Sequence, residues 1–97
     1  MHVISLKPLK EFWLKHSNAE GQLKAWYHEA KKAAWKTSAE LKERYPTASI
    51  INSERVVFNI CGNKYRLIVS ISYSSHVVLI KFVGTHAEYE KVDAGSV

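Results

Sequence analysis

Residues Arg55 to Val83 read RVVFNICGNKYRLIVSISYSSHVVLIKFV, and this stretch decides the fold. Val, Ile, Tyr and Phe dominate it, and its side chains follow the alternating pattern that is typical of β-strands. Turn-forming residues interrupt the pattern at Gly62–Asn63 and again at Ser74–Ser75. The stretch therefore predicts three consecutive antiparallel strands joined by two tight turns.

The two turns also predict the register of the strands, because a tight turn fixes which residues lie opposite each other. We place a two-residue turn at Gly62–Asn63 and a second turn with Ser74–Ser75 at its tip. The predicted cross-strand pairs are Cys61–Lys64, Asn59–Arg66, Phe58–Leu67, Arg66–Val83, Leu67–Phe82, Val69–Ile80 and Ile71–Val78.

This register separates two faces of the sheet. One face is apolar throughout and is predicted to pack against helices. The second face mixes cations with aliphatic residues, as expected where an anionic ligand and a partner dock, or where long cationic side chains merely cover apolar neighbours. The predicted core face holds Val56, Phe58, Ile60, Tyr65, Leu67, Val69, Ile71, Val78, Ile80 and Phe82; the second face holds Arg55, Val57, Asn59, Lys64, Arg66, Ile68, Ser70, Leu79, Lys81 and Val83.

The first half of the chain has helical periodicity. A short apolar stretch within residues 1–6 predicts a strand, and residues 7–16 predict an amphipathic helix that Pro8 helps to begin. Ser17–Asn18 predicts the cap of a second helix, whose apolar stripe runs from Leu23 to Ala34. These elements predict a helical hairpin that covers the core face of the sheet.

Two further helices are short. Ser38 is the predicted cap of a helix that Pro46 ends, and residues 46–54 are predicted to be a connector. Thr85 and Glu88 match the T-x-x-E capping box, so a last helix should begin with His86. The residues after Asp93 are expected to form a loose tail. The prediction is one α+β domain over residues 1–97.

Composition limits the class of protein. The chain has 97 residues, 14 Lys+Arg against 9 Asp+Glu, a net charge of +5 and 46% hydrophobic residues, so it is expected to fold. One cysteine cannot form an internal disulfide, and no apolar run approaches the roughly 20 residues of a membrane span. We therefore expect a cytoplasmic protein without membrane contact.

The positive charge is concentrated in the helical half. Residues 1–48 hold nine Lys/Arg and five Glu, and Lys24, Lys31 and Lys32 lie off the apolar stripe of the second helix. These lysines form either an ordinary solvated helix face or a surface for RNA or an acidic partner.

The available side chains restrict the chemistry. The five histidines and one cysteine show no paired-ligand spacing, and no glycine-rich phosphate loop is present, so no metal or cofactor is expected. Arg, Lys, His and Tyr remain, a set that suits cleavage of an RNA phosphodiester. Arg66 can bind the phosphate, with support from Lys64 or Lys81. His86 is suited by type to proton transfer, although a histidine at the start of a helix commonly caps the helix or packs against its neighbours. Tyr89 can stack on a base, donate a proton or pack in the core.

The stretch from Arg55 to Lys91 resembles the HigB family of toxins from bacterial type II toxin–antitoxin modules. The resemblance rests on the blocks VFNI-x-GN-K-YRL and FVGTHAEY and on the order of the predicted elements. It implies a RelE/ParE-like fold, in which an N-terminal strand and helical hairpin pack on a twisted antiparallel sheet. It also implies metal-independent cleavage of mRNA on translating ribosomes, and neutralisation by a HigA-like antitoxin with a helix-turn-helix domain. Operator DNA would be reached only through that antitoxin.

The family blocks fall on Asn63, Lys64, Tyr65 and Arg66, and on Thr85, His86, Glu88 and Tyr89. Two other functions remain open on the same fold, a ParE-like toxin directed against gyrase and a non-catalytic RNA-binding module. The predicted catalytic residues are Arg66, His86, Tyr89, Lys64 and Lys81, and the predicted RNA-binding residues are Arg55, Asn59, Lys24, Lys31 and Lys32.

Overall fold

The computed structural model describes residues 1–97 and has the predicted α+β architecture, with helices packed on one face of a sheet. A 3₁₀ turn at Ser17–Ala19 joins the first two helices. The elements are β1 (His2–Ile4), α1 (Lys7–Lys15), α2 (Glu20–Lys32), α3 (Ser38–Arg44), β2 (Ser49–Ile50), β3 (Arg55–Ile60), β4 (Tyr65–Ser72), β5 (Val77–Thr85) and α4 (His86–Tyr89).

The sheet has five strands in the order β1-β5-β4-β3-β2. The three central antiparallel strands are those that the sequence predicts, and β1 adds to β5 in parallel. The prediction of a plain connector over residues 46–54 was wrong, because Ser49–Ile50 pairs with β3 as an edge strand. Two residues are too few for an alternating pattern, so the sequence carries no strand signal there. The longest helix, α2, has 13 residues, and none of the helices has the length and hydrophobicity of a membrane span.

The register of the first hairpin is confirmed, with Asn59 opposite Arg66 and Phe58 opposite Leu67. The connection spans residues 61–64 rather than two residues, and the main chain of Cys61 and Gly62 adopts positive φ angles of 54° and 67°. A four-residue loop centred on the same position leaves the register unchanged. The predicted turn was therefore too short, but its centre was right.

The second hairpin contains a β-bulge that the sequence prediction missed. Val69–Ile80 and Ile71–Val78 are paired as predicted, but the register shifts between Ile68 and Val69. Lys81 is the extra residue. The predicted pairs Leu67–Phe82 and Arg66–Val83 were wrong by one residue, because the observed pairs are Leu67–Val83 and Arg66–Gly84.

The bulge exchanges the faces of two apolar residues. Val83 packs against the hydrophobic core, although the prediction placed it on the second face. Phe82, predicted to be in the core, lies opposite Ile68 on the second face. Its ring covers Gly84, where an added Cβ would lie 2.6 Å from the Phe82 Cζ atom. The bulge thus brings Gly84 beside Arg66.

The helices cover the core face as predicted. Leu9 and Phe12 of α1 and Leu23 and Trp26 of α2 are buried in one cluster with the sheet. At about 25 cal/mol per Å² of buried apolar surface, this cluster is the main source of stability. Its sheet residues are those predicted except Phe82: Val56, Phe58, Ile60, Tyr65, Leu67, Val69, Ile71, Val78 and Ile80.

Two of the predicted helix caps were wrong. The second helix begins at Glu20 without a side-chain cap, and the Asn18 side chain instead accepts a 2.7 Å hydrogen bond from the Tyr65 hydroxyl. The cap of α3 is Thr37, whose hydroxyl accepts from the main-chain N–H of Glu40 at 3.2 Å. Thr37 directly precedes the predicted cap Ser38, and both residue types are common at helix caps.

The second face of the sheet is partly covered by the chain itself. The residues after Asp93 were predicted to be a loose tail, but Arg55 donates a 3.0 Å hydrogen bond to the main-chain oxygen of Val97. Asn52 also donates to the main-chain oxygen of Gly95. Val57 and Ile68 on this face are 2% and 0% exposed, so much of its apolar surface is buried within the chain.

Candidate functional site

Arg66 stands at one end of the second face. Its neighbours Tyr65 and Leu67 are buried in the core, so alternation along β4 turns Arg66 to the other side. Its guanidinium lies 5.7 Å from the centre of the Tyr89 ring, and Nη1 donates to the main-chain oxygens of Asn63 and Tyr65 at 3.1 and 3.3 Å. Nε and Nη2 donate to no protein group. The side chain is therefore held in place with N–H groups free for an anion.

The short helix α4 supplies the other side chains of the site. Its predicted capping box is confirmed: the Thr85 hydroxyl accepts from the Glu88 N–H at 3.2 Å, and the Glu88 carboxylate accepts from the Thr85 N–H at 2.8 Å. His86 is the first helical residue, as predicted, and its main-chain N–H donates to the oxygen of Lys64 at 3.0 Å. This hydrogen bond fixes α4 against the β3–β4 loop beside Arg66.

Glu90 orients the imidazole of His86. Its carboxylate oxygen lies 2.9 Å from His86 Nε2, and both side chains are at least half exposed. A carboxylate against one ring nitrogen holds the imidazole in a fixed orientation and leaves the other nitrogen for proton transfer. Glu90 was not among the predicted site residues, although its spacing of four from His86 on a helix was the available signal.

Four of the five predicted catalytic residues lie together, and one lies apart. Arg66 pairs with Gly84, which is two residues before His86. The Tyr89 ring lies over the Arg66 guanidinium. Lys64 is exposed in the loop that precedes β4. Lys81 is half-buried at the bulge, roughly 10 Å from Gly84 along β5 at about 3.3 Å per residue. Lys81 therefore lies further along the face than the other four residues and can add positive charge there.

The predicted RNA-binding residues lie on two sides of the molecule. Asn59 is opposite Arg66 and close to the site. Arg55 is engaged within the chain: its side chain is 13% exposed, donates to the Ser70 hydroxyl at 2.8 Å and pairs with Glu54. The other three residues lie on α2, across the sheet from Arg66: Lys24, Lys31 and Lys32. The Lys24 ammonium pairs with the Glu20 carboxylate at 2.6 Å. The Lys31 ammonium lies 5.9 Å from the centre of the Tyr27 ring.

The arrangement offers anion binding, ring stacking and proton transfer without a metal-ligand cluster. No group of three or more His, Cys, Asp or Glu side chains converges anywhere in the chain. What the site presents is a guanidinium, an aromatic ring and a carboxylate-paired imidazole. These groups suit a negatively charged substrate that carries a flat ring and exchanges protons.

The capping box gives a pH-dependent prediction. Hydrogen bonds from the main chain and side chain of Thr85 lower the pKa of Glu88, so the ionised carboxylate stabilises α4. That contribution is complete above the ordinary glutamate pKa of about 4.3 and is lost as the pH falls through the lowered value. We expect an NMR titration of the Glu88 carboxyl carbon to show a low midpoint that rises in Thr85→Ala. An unchanged midpoint would mean that the Thr85 side chain contributes nothing and that its main-chain N–H alone lowers the pKa of Glu88.

Comparisons with known proteins found a matching family model and similar proteins. A family model for the HigB toxin, described as the RelE-like toxic component of a toxin-antitoxin system, matches residues 19–92. The mRNA interferase HigB of Escherichia coli O6:H1 is 28% identical over 94 residues, covering 95% of this chain and 91% of the relative. The mRNA interferase HigB of Shigella flexneri is 29% identical over 92 residues, covering 93% and 88%.

Proposed function

The chain belongs to the HigB family of RelE-like toxins, the toxic components of toxin-antitoxin systems, and we propose that it is a ribosome-dependent mRNA endonuclease that inhibits translation in the cytoplasm. Relatives that match more than nine-tenths of the chain bear the name mRNA interferase. The observation that supports the proposal most strongly is the cluster of Arg66, Tyr89 and the His86–Glu90 pair at one end of the sheet.

The proposed reaction uses the RNA as its own nucleophile. A ribose 2′-hydroxyl loses its proton and attacks the adjacent phosphorus, a 2′,3′-cyclic phosphate forms, and the 5′-oxygen leaves with a proton. His86 transfers protons, and Arg66 stabilises the charge that grows on the phosphate oxygens. Tyr89 stacks on a base beside the scissile phosphate, and Lys64, with Lys81 further along β5, adds positive charge. No step requires a metal ion.

Primer extension on an mRNA in a translating extract tests the proposal. We expect 5′ ends at positions linked to codons, and none when the same RNA is incubated with the protein without ribosomes. DNA breaks that depend on gyrase would instead identify a ParE-like toxin. Binding to RNA with neither kind of break would identify a non-catalytic module.

The lysines of α2 give a separate prediction about docking. Replacing Lys24, Lys31 and Lys32 together by Gln should weaken binding to ribosomes more than it slows cleavage once bound, because these residues lie across the sheet from Arg66. Affinity is measured by co-sedimentation with ribosomes at several salt concentrations, where the wild type should show the steeper dependence. An unchanged affinity would make these lysines an ordinary solvated helix face.

A toxin of this family has an antitoxin partner, and we propose a HigA-like antitoxin with a helix-turn-helix domain that carries the contact with operator DNA. It neutralises the toxin by adding bulk that blocks entry to the ribosome, with the lysine-rich helices as its docking surface. A structure of the complex tests this version. An antitoxin segment lying over Arg66 and His86 would contradict neutralisation by exclusion alone.

A further inference from the structure

A cleft of about 510 Å³ lies at the opposite end of β5 from α4. Lys31, His2, His76, Tyr27 and Ser75 line it, and no acidic residue does. Each of the other three clefts in the protein includes at least one glutamate. In this protein the largest cleft is thus the one that is free of negative charge.

Parallel pairing of β1 with β5 builds one wall of this cleft. The main-chain N–H of His2 donates to the oxygen of His76 at 2.7 Å, which sets the two imidazoles at the same edge of the sheet. His76 has a φ of 56°, a left-handed conformation that is uncommon for a residue other than glycine. His76 belongs to the turn between β4 and β5, where a left-handed residue is common, and this turn carries its ring to the cleft.

Helix α2 builds the facing wall. Tyr27 and Lys31 are one turn apart, and the Lys31 ammonium lies 5.9 Å from the centre of the Tyr27 ring. The ring of His28 lies 5.5 Å from the Tyr27 ring at an interplanar angle of 51°. Lys31, His2 and His76 are all exposed, and none of the three forms an ion pair. Their polar groups are available to a ligand.

We propose that this cleft, where Lys31 and Tyr27 of α2 face His2 and His76 of the β1–β5 edge, binds a nucleotide of ribosomal RNA. The Lys31 ammonium and the imidazole N–H groups bind a phosphate, and the Tyr27 or His76 ring stacks on a base, as aromatic side chains do in single-stranded RNA sites. An acidic peptide would use the cation but not the flat rings, so the lining favours RNA. The inference rests on the proposed function, because it extends the contact with RNA beyond the cleavage site.

The distance between the two sites makes the cleft a docking site rather than part of the cleavage site. The nine residues of β5 span roughly 27 Å at about 3.3 Å per residue. The longest dimension of the molecule is 34 Å. The cleft is therefore too far from Arg66 to hold the same codon, and since the proposed enzyme acts on the ribosome, the nucleotide that the cleft binds belongs to ribosomal RNA.

The test compares two point variants with a charge-matched control. Lys31→Gln removes the cation, and His76→Asn removes the ring while Asn tolerates the left-handed main chain. Lys10→Gln removes the same charge from an exposed position on α1 that lines none of the clefts. Kd is measured for ribosomes without mRNA, for an unstructured RNA oligonucleotide and for the antitoxin.

We expect Lys31→Gln and His76→Asn each to raise the Kd for ribosomes about fivefold or more, and Lys10→Gln less than about twofold. A loss with these mRNA-free ribosomes supports binding of ribosomal RNA, whereas a loss confined to the oligonucleotide would mean that the cleft takes up message and would overturn the inference. Unchanged ribosome affinity in both variants overturns the inference, as does a loss confined to the antitoxin. Codon-linked cleavage by the wild type is scored separately, so that a protein that binds through the cleft but does not cut refutes only the proposed function.

Discussion

Arg66→Ala is expected to lower the rate of mRNA cleavage by about 10²- to 10³-fold, the usual cost of removing one donor that stabilises a developing oxyanion. The side chain lies on the second face and its free N–H groups point away from the core, so the fold should persist. Primer extension in a translating extract measures the rate. Circular dichroism and the melting temperature verify that the variant is folded.

Arg66→Lys separates the charge of this residue from its geometry. Lysine keeps the positive charge but lacks the planar fork that donates two parallel hydrogen bonds to a phosphate. We expect activity between that of the wild type and that of Arg66→Ala, with ribosome affinity close to the wild type. A folded Arg66→Ala protein that cleaves at the wild-type rate would remove Arg66 from the site and with it the central element of the proposed mechanism.

The features that the sequence predicts well are local ones. The Thr85–Glu88 capping box involves residues three apart, so its two hydrogen bonds follow from the spacing alone. The first hairpin register is likewise set by one short loop between β3 and β4. His86 is placed at the start of α4 for the same reason.

The bulge at Lys81 could not be predicted from alternation. Phe82 and Val83 are both apolar, so no polar residue marks which of them faces water. The shift of one residue moves Val83 into the core and places Gly84 opposite Arg66. The geometry of the candidate site beside α4 thus depends on a feature that leaves no signal in the sequence.

Contacts between distant segments were the second kind of feature that the sequence did not predict. The pairing of β1 with β5 joins residues at opposite ends of the chain, and local periodicity carries no information about it. The same holds for the hydrogen bond from Arg55 to Val97. Arg55 was predicted to bind RNA because it shares a face with Arg66, and only the fold of the C-terminal segment reveals that it is engaged within the chain.

Leu67→Ala, one residue from Arg66, is expected to destabilise the protein by about 2 to 5 kcal/mol, a large part of the stability of a domain of this size. Leu67 is fully buried between the helices and its cross-strand neighbours Phe58 and Val83, so truncation leaves a cavity that the packed core can only partly fill. Urea unfolding measures the change in the free energy of unfolding. The midpoint should fall while the denaturant slope stays constant.

A second leucine provides the matched control for this prediction. Leu14 on α1 is 79% exposed, so Leu14→Ala makes the same chemical change without opening a cavity and should alter stability by less than about 0.5 kcal/mol. Leu67→Ala should keep its cleavage activity at temperatures where it remains folded, whereas Arg66→Ala should keep its stability and lose activity. The opposite pattern, with Leu67→Ala as stable as the wild type and Arg66→Ala unfolded, would mean that β4 is one residue out of register and that Arg66 belongs to the core.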